Sequence, residues 1–207
     1  MAPDSDYEYQ IPFGSLPLLF DTTLDSIPST IPYLQVSQSS IKDWQAKLPL
    51  AHAGRLNIGI ACSGNINFDI KRGNTRPISL ALLQEAFPND NLFLIQKDLR
   101  ENDLETLSNH PAIHYLGDYL NNFEDTAAVV ENMDLIISID TSLAHLAGTL
   151  GKQVFILLPW ASDWRWFLDR EDSPWYPSAK LYRQKSFGDW PTVLVQLKKD
   201  VAALIKS

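Results

Sequence analysis

From Leu56 onward, apolar residues gather in short runs at 56–62, 92–96, 112–116, 134–139 and 153–158. Between them lie stretches with helical spacing near 78–87, 100–109, 123–132 and 142–151. A last helix is predicted over 190–205, where Val193, Leu194, Leu197, Val201, Leu204 and Ile205 share one face. Leu135-Ile136-Ile137 and Val154-Phe155-Ile156-Leu157-Leu158 are continuously apolar, as strands buried on both faces require. Strands and helices in alternation then imply a parallel sheet with helices on each side, a Rossmann-like α/β domain.

The chain before this domain follows another pattern. Pro12, Pro17, Pro28 and Pro32 are spaced so that no long helix forms, while Ile11, Phe13, Leu16, Leu18, Leu19 and Phe20 still need cover. Residues 1–50 are therefore expected to be an extended Pro-rich segment that runs over the surface of the domain at 51–207. It ends in a short helix capped by Ser39 and running through Leu48, with Ile41, Trp44 and Leu48 on one face. Residues 159–178 also break the alternation. Twenty residues without a repeating pattern are long for a loop in a compact domain, and Trp160, Trp164, Trp166 and Trp175 argue against disorder.

Composition narrows the function classes. With 45% hydrophobic and 20% charged residues, the 207-residue chain suits one globular core. Its 17 Lys and Arg against 25 acids give a charge of −8, which argues against nucleic acid as a partner. The single Cys62 excludes an internal disulfide, and its apolar setting predicts a buried thiol. His52, His110, His114 and His145 are scattered, with no H-x-x-x-H or H-E-x-x-H pair on one helix, so no metal is expected. No G-x-G-x-x-G, P-loop or G-x-S-x-G motif occurs, which leaves a nicotinamide or flavin enzyme a distant possibility and no cofactor expected. No run approaches the ~20 apolar residues of a membrane span. The acidic residues 1–6 lack the pattern of a signal peptide, so the expected compartment is the cytoplasm.

Ligands of open parallel sheets bind at the carboxyl ends of strands, and two predicted turns there carry chemistry. After the first strand come Ser63, Gly64 and Asn65, small enough for a ligand to approach the backbone, followed by Lys71, Arg72 and Arg76. This set suits a diphosphate, or forms an ordinary solvated loop. After the run at 134–139 come Asp140, Thr141 and Ser142, with His145 on the same helical face. Thr141 or Ser142 is placed to cap a helix whose first N–H groups form an anion site; the alternative is a plain cap with a histidine at the core edge. The Trp-rich loop leaves the same edge. Trp164 and its neighbours either stack on a base or sugar, with Asp163 and Arg165 bonding hydroxyls, or simply anchor the loop.

The run from Asp140 through Lys152, followed by Leu157-Leu158-Pro159, resembles the nucleotide-sugar motif of glycosyltransferase family 9, which includes the ADP-heptose heptosyltransferases. The stretch from Asp163 through Pro177 is similar to a bacterial subgroup in which this domain follows tetratricopeptide repeats. So are Ser63-Gly64-Asn65, Arg76-Pro77-Ile78-Ser79-Leu80, Leu16-Pro17 and the residues from Thr22 to Pro28. Two positions depart from the pattern: Ser142 stands where the motif usually has Gly, and the segment from Asn67 to Arg72 replaces a His and an Asn-Asp pair.

The resemblance implies the C-terminal, donor-binding half of a GT-B fold, preceded by the connection from an N-terminal half. The expected ligand is a nucleotide-diphosphate sugar, transferred to an acceptor hydroxyl. Ser63, Gly64 and Asn65 would line the cleft, Lys71, Arg72 or Arg76 would approach the diphosphate, and Asp140, Thr141, Ser142 and His145 would surround the phosphates. Asp163, Trp164 and Arg165 would reach the sugar. The catalytic base would lie on the N-terminal glycosyltransferase domain, leaving this chain able to bind but hardly to catalyse; that domain or the tetratricopeptide repeats are the expected protein partners. The competing class is a non-catalytic interaction module that keeps the fold and offers its Trp-rich surface to another protein.

Overall fold

A computed structural model describes residues 9–51, 54–71, 73 and 76–205. Its helices and strands follow in the order α1 (Leu16–Leu19), α2 (Gln38–Gln45), β1 (Asn57–Ala61), α3 (Ile66–Lys71), α4 (Leu80–Ala86), β2 (Asn91–Leu94) and α5 (Glu101–Asn109). Then come β3 (His114–Tyr115), α6 (Phe123–Glu131), β4 (Leu135–Ile139), α7 (Ser142–Thr149), β5 (Val154–Leu158), β6 (Ala179–Arg183) and α8 (Trp190–Leu204). The strands form one sheet in the order β3-β2-β1-β4-β5-β6. Every neighbouring pair is parallel. This is the Rossmann-like α/β architecture expected from the apolar runs, with helices on both faces as parallel strands require.

Side chains alternate between two cores. Phe93, Ile136, Val154, Ile156 and Leu158 meet α2, α6 and α7 on one face. Ile58, Ile60, Leu92, Leu94, Leu135, Ile137 and Leu157 meet α4 and α8 on the other. Gly59 in β1 is needed because a Cβ there would stand 2.6 Å from Ile136 Cδ1 and 2.7 Å from Ile95 Cδ1. Among the described residues, no helix is long and apolar enough to cross a membrane.

Four details differ from the expected elements. Strand β6 was hidden in the sequence because it lies at the sheet edge: Lys180 and Arg183 are half-buried, which breaks the apolar run. Its outer side is partly covered, with the Leu181 N–H donating to the Glu171 carbonyl at 2.7 Å. Strand β3, expected over 112–116, shrinks to two residues. Helix α3 was not foreseen between the first turn and Arg76. Ser37, rather than Ser39, caps α2, its hydroxyl accepting from the Ser40 N–H at 3.1 Å.

The Pro-rich segment carries the short α1, and Phe13, Leu18 and Phe20 are exposed on it. The segment then attaches to the domain. The Tyr33 N–H donates to the Thr149 carbonyl at 3.1 Å. Trp44 and Leu48 enter the core beside α6. The Trp44 indole donates to Asp125 and the Ser40 hydroxyl to Glu124.

The amino ends of the strands are tied by amides. The Asn57 side-chain carbonyl accepts from the Ala51 N–H at 2.7 Å and from Asn91 Nδ2 at 3.0 Å. Its Nδ2 and backbone N–H both donate to Asp134. Asn91 Oδ1 in turn faces His114 Nε2 at 2.9 Å, so the ladder spans β3, β2, β1 and the residue before β4. Replacing Asn57 by Leu takes the acceptor from the Ala51 N–H and removes one bond each from Asn91 and Asp134, and Asn57→Leu should cost about 1–3 kcal/mol in urea unfolding. Burial holds the His114 imidazole below its ordinary value. The unfolded chain therefore takes up this proton first as pH falls, and the stability His114 contributes above about pH 6.5 is lost below it. His114→Gln, which can still donate to Asn91, should flatten the fall in Tm between about pH 7 and pH 5.

Candidate functional site

The strand order reverses between β1 and β4, so their following turns diverge and open a crevice at the carboxyl edge of the sheet. A cavity of about 390 Å3 lies there. Its walls are Ser63, Gly64 and Asn65 after β1, Gln96, Lys97 and Asp98 after β2, Asn121, Asn122, Phe123 and Thr126 around the start of α6, and Thr141, Ser142 and Leu143 at the start of α7. Five of the residues expected at a ligand site, Ser63, Gly64, Asn65, Thr141 and Ser142, thus line one cavity.

Gln96 shapes the first turn. Its carbonyl accepts from the Cys62 and Ser63 N–H groups at 2.9 and 3.2 Å. Its amide donates to Ser63 Oγ at 2.9 Å and to the Asp98 carbonyl at 3.0 Å. Cys62 is buried as expected, and burial, then the charge of Asp103, push its thiol up to about 12, which makes it a core group rather than a nucleophile.

Arg76 joins the two turns. Its Nε and Nη2 donate to Asp69 Oδ1 at 2.9 and 2.7 Å, and its Nη1 donates to the Asp140 carbonyl at 2.6 Å. Asp69, which is buried, also accepts from the Gly64 N–H at 3.2 Å. A Cβ on Gly64 would collide with the Arg76 guanidinium. The glycine expected to admit a ligand thus accommodates an arginine, and the arginine expected at a diphosphate is already held by Asp69 and Asp140. Lys71 closes α3; its side chain, like Arg72, lies outside the described residues.

At the second turn, Thr141 is the residue before α7 but does not cap it. Its hydroxyl lies 3.0 Å from that of Ser138, a buried residue of β4. The first turn of α7 therefore opens on the cavity without a side-chain cap. At α6 the corresponding residue, Asn122, accepts from the Asp125 N–H at 2.9 Å.

Asp140 and His145 stand behind this turn rather than in the cavity wall. His145 Nε2 is 3.6 Å from Asp140 Oδ1, and Nδ1 is 2.9 Å from the Tyr176 hydroxyl. The imidazole stacks on Trp166, with centroids 5.3 Å apart. Burial works against the charged form of Asp140, but hydrogen bonding from His145 and Trp166 and the charges of His145 and Arg76 outweigh it. The carboxyl is held below its usual range. The buried Trp166 indole N–H has no well-formed hydrogen bond, so its support of Asp140 comes from proximity rather than alignment.

The Trp-rich loop is ordered, but Asp163, Trp164 and Arg165 lie outside the cavity wall. Asp163 accepts from both the backbone and the guanidinium of Arg165, at 3.1 and 2.7 Å. That guanidinium lies 4.8 Å over the exposed Trp164 ring. The Trp175 indole donates to the Arg165 carbonyl at 2.9 Å. Trp166 is the anchor: it is fully buried, and Arg183 of β6 donates to its carbonyl at 2.9 Å. Asp163 and Arg165, expected to reach a sugar, satisfy each other because they are two residues apart on a tight 3-10 turn.

Sequence reasoning passed over Gln96, Asn121 and Asn122. Their signals were present: Gln96 is the polar last residue of a predicted strand, and Asn122 precedes Asp125 by three, the spacing of a capped helix start. Tyr176 carried no local signal, since only the fold brings it to His145.

No protein-family model matches the chain. A 71-residue stretch, 34% of the chain, is 37% identical to Protein FlbA of Caulobacter vibrioides, of which it covers 12%. Among solved structures, the fold is similar to that of E. coli ADP-heptose LPS heptosyltransferase II, with a TM-score of 0.61 and 16% identity. That match covers 87% of this chain and 56% of the other. It is also similar to a glycosyl transferase family 9 protein from Veillonella parvula, with a TM-score of 0.56 and 13% identity over 83% of this chain and 53% of that one. The chain spans about half the length of these two structures, and the likeness is one of fold.

The packing of Gly64 on Arg76 can be tested by a double-mutant cycle. Gly64→Ala should destabilise the protein by about 1–3 kcal/mol. In an Arg76→Ala background the added methyl should cost little, giving a coupling energy above about 0.5 kcal/mol in urea unfolding.

Proposed function

We propose that this chain is the donor-binding half of a GT-B glycosyltransferase, taking a nucleotide-diphosphate sugar at the carboxyl edge of its sheet. The observation that carries the proposal is the open cavity where β1 and β4 diverge, onto which the uncapped first turn of α7 faces. The likeness of fold to heptosyltransferase II supports it.

In this reading the diphosphate lies against the N–H groups at the start of α7, where the helix dipole favours negative charge. The Thr141 and Ser142 hydroxyls flank it. Ser63, Gly64 and Asn65 form the opposite wall, and Lys97 offers a polar contact to the nucleoside. His145, one turn into α7, stands behind this turn against Asp140. Lys71 and Arg72 remain candidates for the phosphates. When a sugar is transferred, charge grows on the departing nucleotide diphosphate, and preorganised N–H donors stabilise it. Deprotonation of the acceptor hydroxyl needs a base, which we assign to an N-terminal glycosyltransferase domain. The chain then binds its donor in the cytoplasm and turns it over only when completed, with tetratricopeptide repeats as a further partner.

A non-catalytic interaction module is the second reading. Phe13, Leu18, Phe20, Trp160 and Trp164 are exposed and favour it. The open, polar turn at 140–143 beside the buried Trp166 favours donor binding over it.

Isothermal titration with ADP, UDP, GDP and CDP and their sugars should detect binding by at least one nucleotide. Ser142→Asp, which puts a negative charge at the start of α7, should weaken that binding about tenfold or more while leaving Tm nearly unchanged. Failure of every nucleotide to bind would overturn the proposal.

A further inference from the structure

His145 meets polar groups on two sides. Its Nδ1 lies 2.9 Å from the Tyr176 hydroxyl, a hydrogen-bonding distance. Its Nε2 faces Asp140 Oδ1 at 3.6 Å, which is close but too long for a full hydrogen bond. Trp166 stacks on one face of the ring, and the Tyr176 ring meets it edge-on at 5.7 Å, so the imidazole cannot exchange its two nitrogens without displacing both aromatics.

The proton positions follow from what each neighbour can do. Asp140 is ionised and can only accept, so the nitrogen facing it carries the hydrogen. Tyr176 has one O–H, and the lone pair left on Nδ1 can accept it. Burial, and then the charge of and hydrogen bond with the neighbouring Tyr33 hydroxyl, hold the Tyr176 phenol well above its ordinary range, so it keeps a proton for which Nδ1 and the Tyr33 oxygen are the acceptors in reach. Tyr176 is itself fixed by close packing, because a Cβ on Gly148 of α7 would collide with its ring. Arg165 and Asp140 are the charged groups near this phenol.

We infer that Tyr176 is a positioning residue that locks His145 in the Nε2–H tautomer, so that the imidazole presents a donor beside the site. The His145 side chain is 35% exposed and its Nε2–H is only loosely shared with Asp140, so this proton is available to an oxyanion arriving beside α7. The tautomer assignment stands on the chain alone. Its use toward an anionic ligand rests on the donor-binding reading.

Long-range 1H–15N spectra of the 15N-histidine-labelled chain, at about pH 8 where an ordinary imidazole is neutral, test the assignment. His145 should show a protonated Nε2 and a bare Nδ1. Tyr176→Phe, which keeps the ring packed on Gly148, should give a mixture of tautomers. A bare Nε2 in the unmodified chain, or a tautomer unmoved by Tyr176→Phe, would overturn the inference. Titration of both proteins with inorganic pyrophosphate separates the second part. Binding weakened about fivefold by Tyr176→Phe supports the coupling, equal binding overturns it, and no binding to either counts against the donor-binding reading while the spectra still decide the tautomer.

Discussion

The carboxyl edge of the sheet depends on one guanidinium. A parallel sheet whose order reverses must separate two turns, and nothing in the backbone ladder holds those turns at a fixed spacing. Arg76 does so by donating to Asp69, which lies under the first turn, and to the Asp140 carbonyl, which begins the second. Asp69 is buried, so its charge would be costly without this partner. Gly64 is small because the guanidinium passes over it. The shape of the cavity, the start of α7 and the setting of Asp140 all follow from that bridge.

The same bridge divides the charged groups of the edge into two roles. Arg76, Asp69, Asp163 and Arg165 neutralise one another and give form to the loops. The polar groups that line the cavity beside Ile95, Leu120, Phe123 and Leu143 are mostly hydroxyls, amides and backbone N–H donors, with Lys97 and Asp98. A site of that kind meets negative charge with oriented dipoles more than with opposite ions. It costs little reorganisation when charge moves within a bound ligand.

Strands β1, β2, β4 and β5 were legible because burial on both faces forces apolar runs, and α4 through α8 because one buried face imposes a 3.6-residue period. Strand β6 was not, since an edge strand tolerates Lys180 and Arg183. Within the site, Ser63, Gly64, Asn65, Thr141 and Ser142 could be found because they follow strands in a fold whose ligand edge is known from topology alone. Their detailed roles could not. Whether Thr141 caps α7 or turns to Ser138 depends on a serine buried in the preceding strand. Whether Arg76 meets a ligand or Asp69 depends on a carboxylate seven residues away, across a helix the periodicity did not reveal. The partner of His145 lies 31 residues on, within a loop with no regular pattern.

The amino-terminal segment is bonded to both α6 and α7, the helices whose first turns line the cavity. Tyr33 is bonded to the last residue of α7, and α2 is held on α6 by Trp44, Ser40 and the Asn132 amide, which donates to the Ile41 carbonyl. The two helices whose first turns form facing walls are therefore spanned by one continuous strap. Whatever free energy the strap adds to or takes from binding, an occupant returns to the strap in equal measure.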